Sequence, residues 1–139
     1  MKTTLSLIFL FCLLQFSANA GVPEAVKKAF SAMFPDVKKA KWEKEKTGNY
    51  EAEFVRDGRE ITAVFDEKGQ WKETETEIKP EALPEHVKVA IQKLYGNAKI
   101  KETARIQQSG KAILYEAEIK ADGKHLELLF TENGELIKS

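Results

Sequence analysis

The chain of 139 residues has little of what most enzyme and metal chemistry needs: one cysteine, Cys12, and two histidines, His86 and His125. Cys12 falls inside an N-terminal stretch that reads as an export signal. Lys2 supplies the positive start, Leu5 to Leu14 the apolar centre, and Ala18-Asn19-Ala20 a small-x-small cleavage site. Phe9 and Phe11 do not fit the box that would make Cys12 a lipidation site. Cleavage near Ala20 leaves a chain without cysteine, which excludes a disulfide, a thiolate nucleophile and a thiolate metal site. The apolar stretch is shorter than the roughly 20 residues a membrane-spanning helix requires, and no later segment in the mature chain is long enough.

An excess of either charge is also missing. Lys and Arg number 22 against 22 Asp and Glu; removing Lys2 leaves 21 against 22, a net charge of −1. A nucleic-acid binder would carry a basic excess, so nucleic acid is not the expected partner. No serine stands in a nucleophile motif with a histidine and an acid, and no glycine loop of the phosphate-binding kind occurs. The expectation is a non-enzymatic protein without cofactor or metal, periplasmic or secreted after removal of the signal.

What the chain does have is a duplication. Tyr50-Glu51-Ala52-Glu53, Asp57-Gly58, Phe65, Glu67 and Gly69 return 65 residues later as Tyr115-Glu116-Ala117-Glu118, Asp122-Gly123, Phe130, Glu132 and Gly134. Of the 20 positions from Tyr50 to Gly69, 9 are identical to their counterparts. Val22-Pro23-Glu24-Ala25-Val26-Lys27 likewise returns as Leu83-Pro84-Glu85-His86-Val87-Lys88, displaced by 61. Extra residues around Ser109-Gly110-Lys111 account for the change of displacement. Such self-similarity marks a repeated structural unit.

Each unit opens with an amphipathic helix. Val22, Val26, Ala29, Phe30, Met33 and Phe34 recur at helical spacing in the first, and Val87, Ala90, Ile91, Leu94 and Tyr95 in the second. Pro23 and Pro84 suit the first turn; Pro35 and Gly96-Asn97 end the helices. Four strands follow in each unit: 41–46, the alternating stretch from Tyr50, the stretch from Ile61 to Phe65 and 71–78, then 101–107, 113–121, 124–131 and 135–138. Asp57-Gly58 is a two-residue hairpin turn, because Asp-Gly tolerates the positive φ angles it needs. The charged strand Lys41-Trp42-Glu43-Lys44-Glu45-Lys46 reads as a protected sheet edge.

A unit of about 60 residues is marginal alone. The expected fold is therefore α+β: a tandem repeat of a helix plus a four-stranded antiparallel sheet, the two sheets side by side or joined, with both helices on one face. The domain reading is 1–20 signal peptide, 21–79 first repeat and 80–139 second repeat.

The ordered set Val22-Pro23-Glu24, Phe34-Pro35, Trp42, Tyr50-Glu51-Ala52-Glu53-Phe54, Asp57-Gly58 and Phe65-Asp66-Glu67-Lys68-Gly69-Gln70-Trp71, with weaker copies in the second half, resembles the PepSY-like group of bacterial envelope proteins related to the β-lactamase inhibitory protein. The resemblance covers nearly the whole mature chain. It implies a tandem helix-plus-four-strand fold whose open sheet face holds a protein partner. The repeats here are shorter, and the inhibitor's disulfides are absent, so the resemblance carries the architecture and not the target.

Glu51 with Glu53, and Glu116 with Glu118, alternate with core residues and therefore stand on the face away from the helices. As a docking site they would take a basic loop; as a plain solvated face they would have cross-strand Lys or Arg partners. A calcium site would need six to eight oxygens, which two diverging carboxylates do not supply. Val64 and Leu129, with Val55, fall on the same face and could make an apolar patch. Trp42 and Trp71, expected in or beside outer strands of the first unit, have no tryptophan counterpart in the second half and are candidate anchors, since tryptophan dominates binding hot spots; the alternative is that each closes an end of the core. His86 and His125 read as surface residues, His125 on the open face beside Glu127. The expected function is binding of another extracytoplasmic macromolecule through the open face, for instance as inhibitor or modulator of a secreted hydrolase. The alternative is a periplasmic protein that binds a small ligand or a cation.

Overall fold

The computed structural model describes residues 21–138; the expected export signal and its expected cleavage point lie outside the described residues. Among the described residues two α-helices and eight strands follow in the order α1 (Glu24–Met33), β1 (Lys41–Lys44), β2 (Tyr50–Arg56), β3 (Arg59–Phe65), β4 (Trp71–Glu77), α2 (Glu85–Leu94), β5 (Lys99–Gln108), β6 (Leu114–Ala121), β7 (Lys124–Thr131) and β8 (Leu136–Lys138). A short 3₁₀ turn, Pro80–Ala82, leads from β4 into α2. The strands form one antiparallel sheet in simple chain order from β1 to β8. The charged strand β1 is an edge, as its composition predicts. β4 pairs with β5, so the sheet is continuous through the middle of the chain.

Local chemistry sets the turns. Asp57 and Gly58 have φ of 52° and 73°, and Asp122 and Gly123 have 49° and 77°. Both pairs therefore make the doubly positive turn whose twist matches that of the flanking strands. Gly69 and Gly134, in the β3–β4 and β7–β8 turns, also have positive φ and each lies against the start of a helix. A Cβ on Gly69 would sit 2.5 Å from the Ala25 carbonyl oxygen, and one on Gly134 would collide with the His86 carbonyl. Glycine is needed there on both counts: for the φ angle and for the close approach of hairpin to helix.

The register places both helices on the same side. Ile61 is opposite Thr76, Thr76 opposite Arg105, and Arg105 opposite Tyr115. Cross-strand partners share a face, so the inward residues of β2–β3 and of β6–β7 point the same way. Val26 and Phe30 of α1 pack on Tyr50, Ala52, Phe54, Ile61, Ala63 and Phe65. Val87 and Ile91 of α2 pack on Tyr115, Ala117, Ile119, Leu128 and Phe130. Phe30 anchors the first core, with Phe54 and Trp42 presenting their rings edge-on at 5.2 Å each.

These are two cores under one sheet. Between them the helix-side surface is polar, with Thr74, Thr76, Arg105 and Gln107, and Thr103 donates its hydroxyl to the Ile78 carbonyl at 2.7 Å, tying β5 to the connecting segment. Among the described residues no helix is long and apolar enough to cross a membrane.

Candidate functional site on the open face of the sheet

The side of the sheet that carries no helix is dominated by glutamate. Period-2 alternation puts Glu51 and Glu53 of β2, Glu73, Glu75 and Glu77 of β4, and Glu116 and Glu118 of β6 on this one face. One register row reads Lys41, Glu53, Thr62, Glu75, Ile106, Leu114. A neighbouring row runs from Glu77 through Ala104 and Glu116 to Leu129.

Although no helix covers this side, its central residues are sealed: Ile106 is fully buried, and Val64, Glu75, Ala104, Glu116 and Leu129 are each no more than 9% exposed. Burial of that kind requires the twisted sheet to curl and its long rim side chains to shade the floor. The result is a groove of about 790 Å³ lined by eight glutamates, Glu53, Glu60, Glu75, Glu77, Glu102, Glu116, Glu118 and Glu127, against two basic side chains, Lys41 and His125.

The rim carboxylates have partners. Lys41 Nζ lies 3.0 Å from Glu53 Oε2, and His125 Nδ1 lies 3.2 Å from Glu118 Oε1. Gln108 Nε2 donates to Glu73, and the Glu60 amide approaches Glu77 Oε2 at 3.4 Å. Glu75 differs. It is 8% exposed, and among the described residues no hydrogen bond or cation reaches its carboxylate. Since no sealed side-chain oxygen lacks a partner, what remains open at Glu75 faces the groove.

The electrostatics follow from this geometry. Burial, then the repulsion of Glu116, Glu73, Glu51 and Glu127, pushes the Glu75 carboxyl up to about 8. Glu51 is pushed up to about 7, by burial and then by Glu45, Glu53 and Glu43. Burial also raises Glu73, against the hydrogen bond from Gln108. Of the three only Glu75 lines the groove, so a positive group entering it would relieve the repulsion there. Among the described residues no group of three or more His, Cys, Asp or Glu is arranged to hold a metal ion.

The residues singled out from the sequence divide between the two sides. Glu51, Glu53, Glu116, Glu118, Val64 and Leu129 lie on the open face. Val64 and Leu129 are buried floor residues separated by β4, β5 and β6, while Val55 is 65% exposed, so the three do not make one apolar patch. Trp42 and Trp71 lie on the helix side and pack against the first core. Trp71 donates its Nε1–H to Thr74 Oγ1 at 2.8 Å. Its strand is not an outer one, because pairing with β5 places β4 inside the sheet. His125 is on the open face as expected, paired with Glu118.

Sequence reasoning missed the β4 glutamates, above all Glu75. The signal was there in Glu73-Thr74-Glu75-Thr76-Glu77, a strict alternation that sends every glutamate to one side. What it lacked was the knowledge that β4 lies at the centre of the groove.

The chain matches the family "Putative beta-lactamase-inhibitor-like, PepSY-like" over residues 15–62 and 48–138. Among solved structures it is similar to a DUF2874 family protein from Bacteroides ovatus (23% identity, 84% of each chain covered, TM-score 0.76). A protein from Bacteroides eggerthii named among "putative periplasmic proteins" is 19% identical, with 84% of this chain and 86% of that one covered and a TM-score of 0.79. A BLIP-like protein from Bacteroides fragilis is 28% identical over 83% of each chain, with a TM-score of 0.71. No curated protein matches the sequence. With the family match spanning nearly all the described residues, the chain belongs to the β-lactamase-inhibitor-like, PepSY-like family.

Proposed function

We propose that this is a non-enzymatic, extracytoplasmic binding protein whose open sheet face holds a positively charged segment of another protein, acting as an inhibitor or modulator of a secreted hydrolase. The observation that carries this reading is the groove, where eight glutamates face two basic side chains. Charge of one sign gathered in a concave, partly dry site focuses its field and selects a partner of the opposite sign. The BLIP-like neighbour from Bacteroides fragilis supports a protein partner over a small molecule. In this reading residues 1–20 are removed on export, and 21–79 and 80–139 are two copies of one unit whose sheets merge to build the groove. Glu53 and Glu118 then belong to the charged rim and Glu116 to the floor, with Glu51, Val64 and Leu129 on the same face; Trp42 and Trp71 support the first half from behind.

The test is a double charge reversal on the rim, Glu53→Lys with Glu118→Lys, in the mature protein. Envelope proteins of its own cell captured on the wild type and identified by mass spectrometry should elute at moderate salt and be lost on the reversed variant. Retention of the same proteins at the same salt on both would refute the open face as the binding surface.

A further inference from the structure

Within that groove the floor carries a more specific feature. Glu75 is more than nine-tenths buried, lines the groove and has no hydrogen bond or cation among the described residues. The residue diagonally beside it on the neighbouring strand is Ala104, whose small side chain leaves a notch, and beyond Ala104 stands the buried carboxyl of Glu116. Ile106, directly opposite Glu75 on β5, is fully buried beneath the floor. A buried carboxylate without a counter-charge, beside a small residue, is a receptor for a cation that is weakly hydrated and flat.

We propose that this notch is a subsite for one arginine side chain of the partner, whose guanidinium pairs with Glu75 while its stem lies over Ala104. This rests on the reading of the open face as the binding surface. Guanidinium suits the site better than ammonium for two physical reasons. It is more weakly hydrated, so it enters a dry floor at lower cost, and its planar fork donates to a carboxylate through two parallel N–H groups. A divalent metal fits poorly, since the described residues offer no ligand group for one.

Arginine pairs with the ionised carboxylate, so binding releases a proton from Glu75 below its raised titration point and strengthens as pH rises. The other titratable groups facing Glu75 are Glu73 on its own strand, Glu51 on β2, Glu116 on β6 and Glu127 on β7. Further out on the groove lining are Glu53 on β2, Glu60 on β3, Glu77 on β4, Glu102 on β5 and Glu118 on β6, with Lys41 on β1 and His125 on β7. The carboxylates all oppose ionisation of Glu75 and all favour the cation. Lys41 and His125 are held by rim carboxylates.

The experiment uses blocked pentapeptides, Gly-Ser-Arg-Ser-Gly and the same peptide with citrulline in place of arginine, titrated into the ¹⁵N,¹³C-labelled mature protein and followed by NMR. The arginine peptide should shift amides of β4, β5 and β6 around Glu75 and bind at least tenfold tighter than the citrulline peptide. It should also bind several-fold tighter at pH 8 than at pH 6 and lower the titration midpoint of the Glu75 carboxyl carbon. Glu75→Gln should cost at least tenfold in arginine-peptide affinity. If Glu75→Gln binds as wild type does, or the Glu75 midpoint does not move, the subsite is wrong. If the peptide then still loses affinity on the Glu53→Lys/Glu118→Lys variant, the open-face reading survives that failure. If rim reversal also leaves the peptide unaffected, the reading of the face falls with the subsite. No binding of either peptide at 10 mM overturns the subsite outright.

Discussion

Replacing Glu75 by glutamine should stabilise the folded protein, and by more as the pH rises. The carboxyl stands at about 8 in the fold against an ordinary value of 4.5, because burial and then the neighbouring Glu116 disfavour its charge. Below pH 4.5 both folded and unfolded states carry the proton and the site costs nothing. Between 4.5 and 8 the unfolded chain ionises while the folded one keeps its proton. The folded state then binds more protons than the unfolded, and stability falls by up to about 1.36 kcal/mol per pH unit. Above 8 both are ionised and the loss is complete. Its ceiling is roughly 5 kcal/mol, a large share of the about 5–15 kcal/mol that holds a domain together.

The ceiling is not reached, because the glutamine amide must itself be buried at a cost of about 1–2 kcal/mol. We therefore expect Glu75→Gln to be about 3–4 kcal/mol more stable than wild type at pH 8.5 and within about 1 kcal/mol of it at pH 5. Urea unfolding at pH 5, 6.5, 7.5 and 8.5, followed by tryptophan fluorescence and far-ultraviolet circular dichroism, reads the difference directly. The slope with urea should stay the same, so that midpoints report stability. A difference that is constant across the four pH values, or a variant less stable than wild type at pH 8.5, would refute the reasoning.

Three further outcomes follow from the fold. Gly134→Ala should destabilise by roughly 2 kcal/mol or more, since the new methyl needs both a left-handed backbone and room occupied by the His86 carbonyl; thermal melts check this, and an unchanged midpoint would mean the hairpin is not seated against α2. Phe30→Ala should cost about 3–5 kcal/mol, because its ring is the hub on which Phe34, Trp42 and Phe54 pack; a loss below about 1 kcal/mol in urea would contradict that position. Lys41→Ala should change stability by less than about 1 kcal/mol, its bridge to Glu53 being largely exposed, and a double-mutant cycle with Glu53→Gln measures the coupling.

Much of this architecture can be read from particular residues. Asp57-Gly58 and Asp122-Gly123 announce their hairpins because only a few residue types accept two positive φ angles in succession. Tyr50-Ala52-Phe54 and Tyr115-Ala117-Ile119 announce the buried face because side chains alternate along a strand. The alternation also assigns Glu51, Glu53, Glu116 and Glu118 to the open side. Other features were not legible. Whether β4 meets β5 depends on contacts between the two halves, and no local periodicity encodes it. That single pairing decides that Trp71 belongs to an interior strand and that Glu75 lies at the centre of a groove rather than on an outer strand. The burial of Glu75 depends in turn on the curl of all eight strands, a property of the assembled sheet.

The two cores account for cohesion without any contribution from the Glu75 carboxyl, since α1 and α2 bury their apolar faces on the opposite side of the sheet. Threonine fills the neighbouring open-face position on β3, Thr62. An apolar or hydroxyl side chain at residue 75 would hold β4 between β3 and β5 as well and would spare the folded state the charge burial. A fold that needed only its sheet would have no physical reason to place an unpaired carboxyl on the groove floor, with Glu51, Glu73, Glu116 and Glu127 all opposing its ionisation. The arrangement makes sense if the opposing charge arrives from outside: the free energy withheld from folding is then recovered on binding, and a cationic partner is favoured over a neutral one by the same electrostatic cost that Glu75→Gln removes.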